Sequence, residues 1–342
     1  MKIDWATDID GVGNRFGFSV HDRRSRRALE AAGVEIVSGA PVAVHVTSPL
    51  TFRPPEDGRV HVAYTAWDST TLPKAAECMV RADAVICTSS YMVPVLRRVA
   101  RPGAPFFVCP LGVDLERFAR PAGLRRTLHR DERMRVLWVG APNPRKGFQH
   151  ALAALTIMTA DGAAFEWHFK TTTCGTEERI SREIGASRVT FDSRKLATEE
   201  LVKLYHRAHA FLFPTMGEGF GLTLAEAMAA GLPCVYTPWS GVTDYCDPTV
   251  AFPLKFTLAS RPSCPNLPED HPQYESFCFS GEFADPDVAS ICERVGWISE
   301  NYKRAEARGR RAAMRMRGYT WERTGRRLKE ILEEITCLQA AS

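Results

Sequence analysis

The chain has 342 residues, of which 45% are hydrophobic and 25% charged, and its 44 basic and 40 acidic side chains give a net charge of +4. These values are typical of a globular protein of about two domains, and they exclude a wholly disordered chain, a collagen-like chain and a small disulfide scaffold. The slight positive excess does not suggest a histone-like partner, although it is compatible with a local basic patch.

No segment reaches the roughly 18 consecutive apolar residues that a membrane span requires. The first residues contain Asp4, Asp8, Asp10 and Arg15, so we expect no signal peptide. The ten cysteines are scattered without a CxxC pair, which favours reduced thiols over a zinc site or a disulfide framework. These features predict a cytoplasmic protein, and peripheral contact with a membrane stays open.

Short apolar runs alternate with amphipathic segments in the first third of the chain. The pattern predicts strands over 2–6, 34–37, 42–47, 61–67, 84–88 and 106–109, and helices over 18–32, 74–81 and 92–99. This alternation favours a parallel sheet with helices on both faces.

The segment 120–133 is rich in arginine and poor in large apolar residues, which indicates a linker. The alternation then resumes, with strands predicted at 135–139, 164–171, 188–191, 210–214 and 234–237 and helices at 148–159, 198–208 and 224–230. Residues 254–286 break the pattern and are interpreted as a surface excursion, with a lid over a cleft as one option. The sequence is helical again from 287 onwards. The predicted fold class is α/β with two doubly wound sheets, whose ligands bind beyond the carboxyl ends of the strands.

The stretch from Phe211 to Pro233 concentrates the residues that carry chemistry. A strand of the buried type ends at Pro214, a glycine-rich turn follows, and a helix begins near Leu222. Glycine lets the backbone approach a ligand closely, and a helix start offers unpaired N–H donors and a positive dipole end. The pattern therefore predicts a phosphate-binding turn, formed by the backbone of Gly219, Phe220, Gly221, Leu222 and Thr223.

Two carboxylates flank this turn, with Glu218 on the loop and Glu226 about one turn into the helix. A carboxylate accepts two hydrogen bonds from a vicinal diol such as a ribose, so the pair suits a nucleoside diphosphate sugar. The alternative is a helix start at which both carboxylates only complement the dipole.

The spacing of Glu218 and Glu226 resembles the E-x7-E motif of retaining, family 4-type glycosyltransferases (glycosyl transferases group 1), which have the GT-B fold. The surrounding P-x-x-G-E-G-F-G-L-x-x-x-E-A-M-A-x-G-x-P matches the signature of that family almost letter for letter. The sequence Arg145-Lys146-Gly147-Phe148, after Val139-Gly140, resembles the loop that carries the family's donor-phosphate lysine. The family usually has Arg directly after that first glycine, where this chain has Ala141, so Arg145 is the candidate for that charge.

The N-terminal half resembles the family more loosely. Gly11 and Gly13 resemble the glycine loop whose backbone approaches the donor phosphates, and Pro110–Asp114 resembles the segment that leads out of the first domain.

The segment Tyr319–Glu322, near the end of the sequence, resembles the start of the family's last helix. The likeness is strong over 136–245 and loose over 1–105.

The resemblance implies two Rossmann-like domains that face a central cleft, with the C-terminal helix crossing back to the N-terminal domain. The acceptor-side domain would cover 1–120 together with the helix 320–342. The domain that binds the nucleotide sugar would cover 130–318.

The implied activity is retaining transfer of a hexose from a nucleotide-diphosphate sugar, UDP or GDP, to an unidentified hydroxyl acceptor. The implied front-face mechanism is independent of metal and needs no other cofactor, because the leaving phosphate oxygen takes the proton of the acceptor. Glu226 would hold the ribose, and Glu218 would hold sugar hydroxyls and favour the oxocarbenium-like charge. The catalytic residues would be Glu218, Lys146 and Arg145, and the donor would bind Gly11, Gly13, the 219–223 backbone and Glu226.

Two acceptor-side candidates, Trp67 and Asp68, lie at the end of a predicted strand, where many relatives of the resembled family place His or Glu beside the sugar. For Asp68 the alternative is a helix cap.

Basic side chains gather on two predicted helices. A solvated helix face is the simplest interpretation, and contact with an anionic membrane or a nucleic acid is the alternative. Two other functions stay open, a nucleotide-sugar-binding protein without transferase activity and a transferase that acts on a nucleic-acid or membrane-associated acceptor. The sequence indicates no oligomeric state. The basic residues are Arg23, Arg24, Arg26 and Arg27 on the first helix and Lys303, Arg304, Arg308, Arg310, Arg311, Arg315 and Arg317 on the second.

Overall fold

The computed structural model describes residues 1–7, 17–121, 126–130, 132–160, 165–171, 188–260 and 281–340. The first part of the chain forms a six-stranded sheet in the order β2-β1-β3-β4-β5-β6, and all neighbouring pairs are parallel. We call this sheet and its helices the N-terminal lobe. Its strands are β1 (Lys2–Thr7), β2 (Glu35–Ile36), β3 (Val42–Val46), β4 (Val60–Thr65), β5 (Ala84–Cys87) and β6 (Phe106–Val108). Its helices are α1 (Gly17–Ala31), α2 (Met92–Leu96) and α3 (Leu115–Phe118), with a 3₁₀ helix at Lys74–Arg81.

A second six-stranded parallel sheet follows, in the order β12-β11-β10-β7-β8-β9. We call it and its helices the C-terminal lobe. The two sheets confirm the predicted fold class, whereas the exact domain boundaries stay a prediction. The strands are β7 (Met134–Val139), β8 (Phe165–Lys170), β9 (Val189–Asp192), β10 (Ala210–Phe213), β11 (Cys234–Tyr236) and β12 (Phe252–Pro253). The helices are α4 (Phe148–Ala160), α5 (Thr198–Arg207), α6 (Leu222–Ala229), α7 (Val288–Glu300) and α8 (Tyr302–Met316).

Central strands of both sheets are buried along their whole length. This holds for β3, with the sequence VAVHV, and for β10, with the sequence AFLF. Parallel strands that are covered by helices on both faces have such near-continuous apolar sequences. Because the strands of each sheet are parallel, the carboxyl ends of these buried strands lie at one edge of the sheet. The turns that follow the strands lie at the same edge.

The expected surface excursion at 254–286 contains two strands that the sequence pattern did not predict. Strands β13 (Phe256–Ser260) and β14 (Glu282–Pro286) pair antiparallel. The side chain of Phe283 is buried, and the Ala284 N–H donates to the Met216 carbonyl at 2.9 Å. This strand pair therefore packs on the glycine-rich turn of the C-terminal lobe. Residues 261–280 lie outside the described residues, so the predicted lid stays a prediction.

The last helix, α9 (Trp321–Ala340), crosses back to the N-terminal lobe and packs on α1, as the resemblance implied. Leu328 and Ile331 are buried in the same apolar cluster as Ile3 and Leu29. The Val113 N–H donates to the Tyr319 carbonyl at 2.9 Å. The segment that leaves the first sheet is thereby joined to the segment that returns to it.

Gly325 is a point of very close approach between α9 and α1. A Cβ added there would lie 2.1 Å from the Ala28 carbonyl oxygen. We expect Gly325→Ala to lower the free energy of unfolding by about 2 kcal/mol, because the helices must move apart. Urea denaturation measures this change.

The matched control for that variant is Gly296→Ala in α7, where an added Cβ meets nothing within 4 Å. Replacing a helix-interior glycine by alanine should raise stability by about 0.5–1 kcal/mol. Equal stability of the two variants would contradict the packing of α9 on α1.

Candidate active site

The predicted catalytic residues Glu218, Lys146 and Arg145 lie at the switch point of the second sheet. Strands β7 and β10 are neighbours there, and the chain continues from β7 to β8 on one side and from β10 to β11 on the other. The turn after β7 carries Arg145 and Lys146, and the turn after β10 carries Glu218. Ligands of open parallel sheets bind outside the carboxyl ends of the strands at such a point.

The turn after β7 and the turn after β10 pack closely against each other. Gly147 has a φ of 67°, and a Cβ added there would lie 1.9 Å from the Pro214 carbonyl oxygen. The Met216 N–H donates to the Arg145 carbonyl at 2.7 Å. Because only glycine fits at position 147, the backbone itself fixes the cationic turn against the glycine-rich one.

Glu218 lies between two cations. Lys146 Nζ donates to Glu218 Oε1 at 2.6 Å, and Arg145 Nη1 lies 3.4 Å from the same oxygen. Glu218 and Arg145 are each 6% exposed, so water screens this pairing little. Burial lowers the pKa of Arg145, but the carboxylates of Asp68 and Glu218 raise it, and the net shift is upward. The guanidinium therefore stays charged.

Asp68 reaches the same cluster from the N-terminal lobe. Its Oδ2 lies 3.1 Å from Arg145 Nη1, and its Oδ1 accepts from the Gly219 N–H at 2.7 Å. A Cβ added at Gly217 would lie 2.2 Å from the Asp68 carbonyl oxygen. Asp68 therefore contacts the glycine-rich turn directly, and the helix-cap alternative does not describe its contacts. Its predicted role at the acceptor stays a prediction.

Trp67 lies behind the glycine-rich turn. Its indole is buried among the apolar residues of the N-terminal lobe, and Nε1 donates to the Thr71 carbonyl at 2.7 Å. Its backbone nitrogen would lie 3.0 Å from a Cβ added at Gly219. The structure thus places the Trp67 backbone against the turn and the ring in the core.

Two residues of the loop after β5, Thr88 and Ser90, make contacts that the sequence analysis missed. Thr88 Oγ1 donates to the Gly219 carbonyl at 3.1 Å. The Ser90 N–H donates to Asp244 Oδ2 at 2.7 Å, and the Ser90 hydroxyl donates to the other carboxylate oxygen. The signal in the sequence that could have indicated these contacts is the group of hydroxyl residues directly after the buried strand β5. Asp68 and Thr88 thus join the N-terminal lobe to the glycine-rich turn, and Ser90 joins it to the 3₁₀ turn Ser240–Asp244.

Glu226 lies on α6 and is half-buried. Tyr205 donates its hydroxyl to Glu226 Oε2 at 2.9 Å. Burial raises the pKa of Glu226 to about 7, although this hydrogen bond and the charge of Arg24 act in the opposite direction. Arg24 belongs to α1 and pairs with Asp114 at 3.0 Å. Glu226 is therefore within electrostatic reach of the N-terminal lobe.

The start of α6 is fixed by Tyr245. Gly221, the residue before the helix, has a φ of 86°. The Tyr245 hydroxyl donates to the carbonyls of Phe220 and Gly221 at 2.9 and 3.0 Å. A helix leaves its first amides without intrahelical partners, and here these include Leu222 and Thr223. Gly11 and Gly13, whose backbone is also predicted to approach the donor phosphates, lie outside the described residues.

Several arginines of the basic helix α8 hold it on its own lobe. Arg311 donates to the Thr249 carbonyl, Arg315 pairs with Asp247, and Arg308 donates to the Ala251 carbonyl. These contacts favour a structural use of that face, and contact with a membrane or a nucleic acid stays a prediction. No helix in the described ranges combines the length and apolar character that crossing a membrane demands.

The model of the family described as glycosyl transferases group 1 matches residues 133–254, the segment that contains Lys146, Glu218 and Glu226. The chain is also 32% identical over 130 residues to an MMP alpha-(1->4)-mannosyltransferase of Mycolicibacterium hassiacum. That alignment covers 37% of this chain and 30% of the relative, so it spans less than a third of the relative's length.

Two solved structures extend the likeness to nearly the whole chain. The lipopolysaccharide outer core galactosyltransferase WaaB superposes with a TM-score of 0.66 at 14% identity, covering 98% of this chain and 99% of that one. The pneumococcal O-GlcNAc transferase GtfA in complex with UDP and GlcNAc superposes with a TM-score of 0.54 at 14% identity, covering 91% and 59%. Such identities establish the fold alone. The segment 133–254 therefore matches the model of the glycosyl transferases group 1 family, within a chain that has the GT-B fold.

Proposed function

We propose that this chain is a retaining hexosyltransferase that takes its hexose from a nucleotide-diphosphate sugar and passes it to a hydroxyl acceptor. The observation that carries the proposal is the Glu218–Lys146 pair at the switch point of the second sheet, beside the start of α6. The likeness to a mannosyltransferase, a galactosyltransferase and a transferase in complex with UDP supports a hexose and a nucleotide donor.

The diphosphate would contact Lys146 and the first amides of α6. The side chain of Lys146 is 22% exposed, whereas that of Arg145 is 7% exposed. Lys146 is thus the cation that an incoming phosphate reaches first. Arg145 would act through its partners, because its guanidinium holds the Gly217 carbonyl at 2.9 Å and faces both carboxylates.

In the proposed reaction, the bond between the sugar C1 and the diphosphate oxygen breaks while the acceptor oxygen bonds to C1 on the same face. The acceptor proton passes to the leaving phosphate oxygen, so no protein base and no metal takes part. Lys146 would neutralise the leaving diphosphate, and Glu218 would stabilise the positive charge that develops on the sugar. UDP and GDP are the proposed nucleotides.

A donor requires the lobes to separate before it binds. Glu218 is 6% exposed and the Gly219 N–H is already bonded to Asp68. We place the acceptor on the side of Asp68 and Trp67, because these residues approach the turn from the N-terminal lobe.

We expect donor binding to strengthen as the pH rises through the pKa of Glu226, which burial raises to about 7. Only the ionised carboxylate accepts both hydrogen bonds of the ribose diol, so affinity should increase by up to about tenfold per pH unit below that pKa. Calorimetry at about pH 6 and pH 8 measures this, and Glu226→Gln should remove the dependence. A wild-type affinity without pH dependence would contradict the assignment.

The raised pKa of Glu226 also makes the stability of the fold depend on pH, but in the opposite direction to donor affinity. The folded state holds the Glu226 proton more tightly than the unfolded chain, whose carboxyl titrates near 4.5. This group therefore contributes stability that is lost as the pH rises from about 4.5 to about 7.

A donor screen tests the proposed function. UDP-, GDP-, ADP- and dTDP-hexoses are incubated with wild type and with Lys146→Ala, and the release of nucleotide is measured. We expect turnover with one nucleotide class and a loss of at least about 100-fold in the variant. The control is Lys255→Ala, a 71% exposed lysine of the same lobe. Equal turnover in wild type and Lys146→Ala would refute the site, and binding without turnover would favour a silent nucleotide-sugar-binding protein.

A further inference from the structure

Ser240 has an unusual backbone conformation. Its φ is 65°, and in the part of the chain that the structure describes it is the one residue other than glycine with a positive φ. A side chain in this region crowds its own backbone, whereas glycine adopts it freely. Ser240 is buried and opens the 3₁₀ turn Ser240–Asp244 after β11. Such outliers persist where the surroundings enforce them, and they cluster at functional sites.

The contacts of Ser240 explain what enforces this conformation. The Glu218 N–H donates to Ser240 Oγ at 2.8 Å, and the next residue, Gly241, donates its N–H to the Glu218 carbonyl at 2.9 Å. The Ser240 hydroxyl in turn donates to the Trp239 carbonyl at 2.6 Å. Two consecutive residues therefore bind the backbone of Glu218 on both sides of its Cα.

The neighbouring residues leave this turn little room to move. A Cβ added at Gly241 would lie 2.3 Å from the Gly219 carbonyl oxygen. At the other end of the turn, Asp244 binds Ser90 of the N-terminal lobe. The 3₁₀ turn Ser240–Asp244 is thus held between the backbone of the glycine-rich turn and the N-terminal lobe.

We propose that Ser240 is a positioning residue for Glu218. Its hydroxyl fixes the Glu218 backbone, and the fixed backbone sets the carboxylate against Lys146 and the donor sugar. Glycine would meet the conformational demand without crowding, so the hydroxyl is the property that accounts for a serine here. The proposal rests on the proposed function, because it assigns Ser240 to the same reaction.

Two variants separate the hydroxyl from the backbone conformation. Ser240→Gly and Ser240→Ala both lose the hydroxyl, but only glycine adopts the positive φ without crowding between its side chain and its backbone. We expect both to lose about tenfold or more in kcat with donor KM within about threefold, because a small displacement of Glu218 acts on the transition state. We also expect Ser240→Ala to melt at a lower temperature than Ser240→Gly. A merely structural role predicts instead that activity follows stability and that Ser240→Gly keeps the wild-type kcat.

Hydrogen exchange gives a readout that does not depend on activity. Peptides that cover residues 214–224 report the hydrogen bond from the Glu218 amide. Exchange of that amide should become about tenfold faster or more in both variants. Unchanged exchange, or wild-type kcat in Ser240→Gly, would overturn the proposal. If no donor is turned over by wild type, the proposed function fails, and the exchange measurement still decides whether Ser240 positions Glu218.

Discussion

Glu218→Gln should reduce the rate of hexose transfer by about 100- to 1,000-fold. The amide keeps the volume of the side chain, but it carries no charge to stabilise the positive sugar in the transition state. The carboxylate that is lost is 6% exposed and bonded to Lys146 at 2.6 Å, so bulk water cannot replace it. We expect kcat to fall much more than donor KM changes, because the missing interaction is strongest in the transition state.

Glu293→Gln is the matched control for this variant. Glu293 lies on α7 of the same lobe, and its side chain is 54% exposed. Its replacement should leave kcat unchanged within a factor of about two. A kcat for Glu218→Gln within threefold of wild type would show that the carboxylate has no part in the chemistry.

The second large effect concerns the stability of the closed site. Arg145→Met should lower the free energy of unfolding by about 3 kcal/mol and abolish transfer. The variant leaves the Gly217 carbonyl without its donor and removes the guanidinium that faces Asp68 and Glu218. Chemical denaturation measures the change. Arg81→Met is the control, because Arg81 pairs with Glu56 at the surface and its loss should cost less than about 1 kcal/mol.

A double-mutant cycle with Asp68→Asn tests whether the pairing across the lobes carries this effect. Asp68 and Arg145 lie 3.1 Å apart, so their replacements should be coupled by about 1–3 kcal/mol. Additive effects of the two changes would show that the lobes are held together by other contacts.

The meeting of Glu218 and Lys146 is the part of the site that local sequence predicts best. Each residue follows a run of buried apolar residues, β10 for Glu218 and β7 for Lys146. Parallel strands bring their carboxyl ends to the same edge of a sheet. Once both runs are assigned to one sheet, the motif needs only a short turn after each strand.

Sequence patterns of this kind do not predict the contact between Asp68 and Arg145. It joins residues that are far apart in the sequence and lie on different lobes, so it depends on how the two sheets are placed relative to each other. Periodicity specifies which face of an element is buried, but not which loops of separate sheets touch. The carboxylate of Asp68 could therefore be proposed as a site residue without its partner being identified.

The sequence analysis also missed the positive φ of Ser240 and the pairing of β13 with β14. A serine carries no sequence signal for a positive φ, since glycine and asparagine are the residues that usually adopt it. The strands β13 and β14 were missed because they pair with each other although 21 residues separate them in the sequence, and local patterns do not reveal such a partner.

The central claim is that a nucleotide sugar binds between the lobes at the Glu218–Lys146 pair, and calorimetric titration tests it most directly. Wild type and Lys146→Ala are titrated with UDP- and GDP-hexoses under the same conditions. We predict saturable heat for wild type with at least one donor and an affinity at least about tenfold weaker in the variant, because a charge-assisted contact with the diphosphate is lost. No heat with any donor, or equal affinity in both proteins, would contradict the claim.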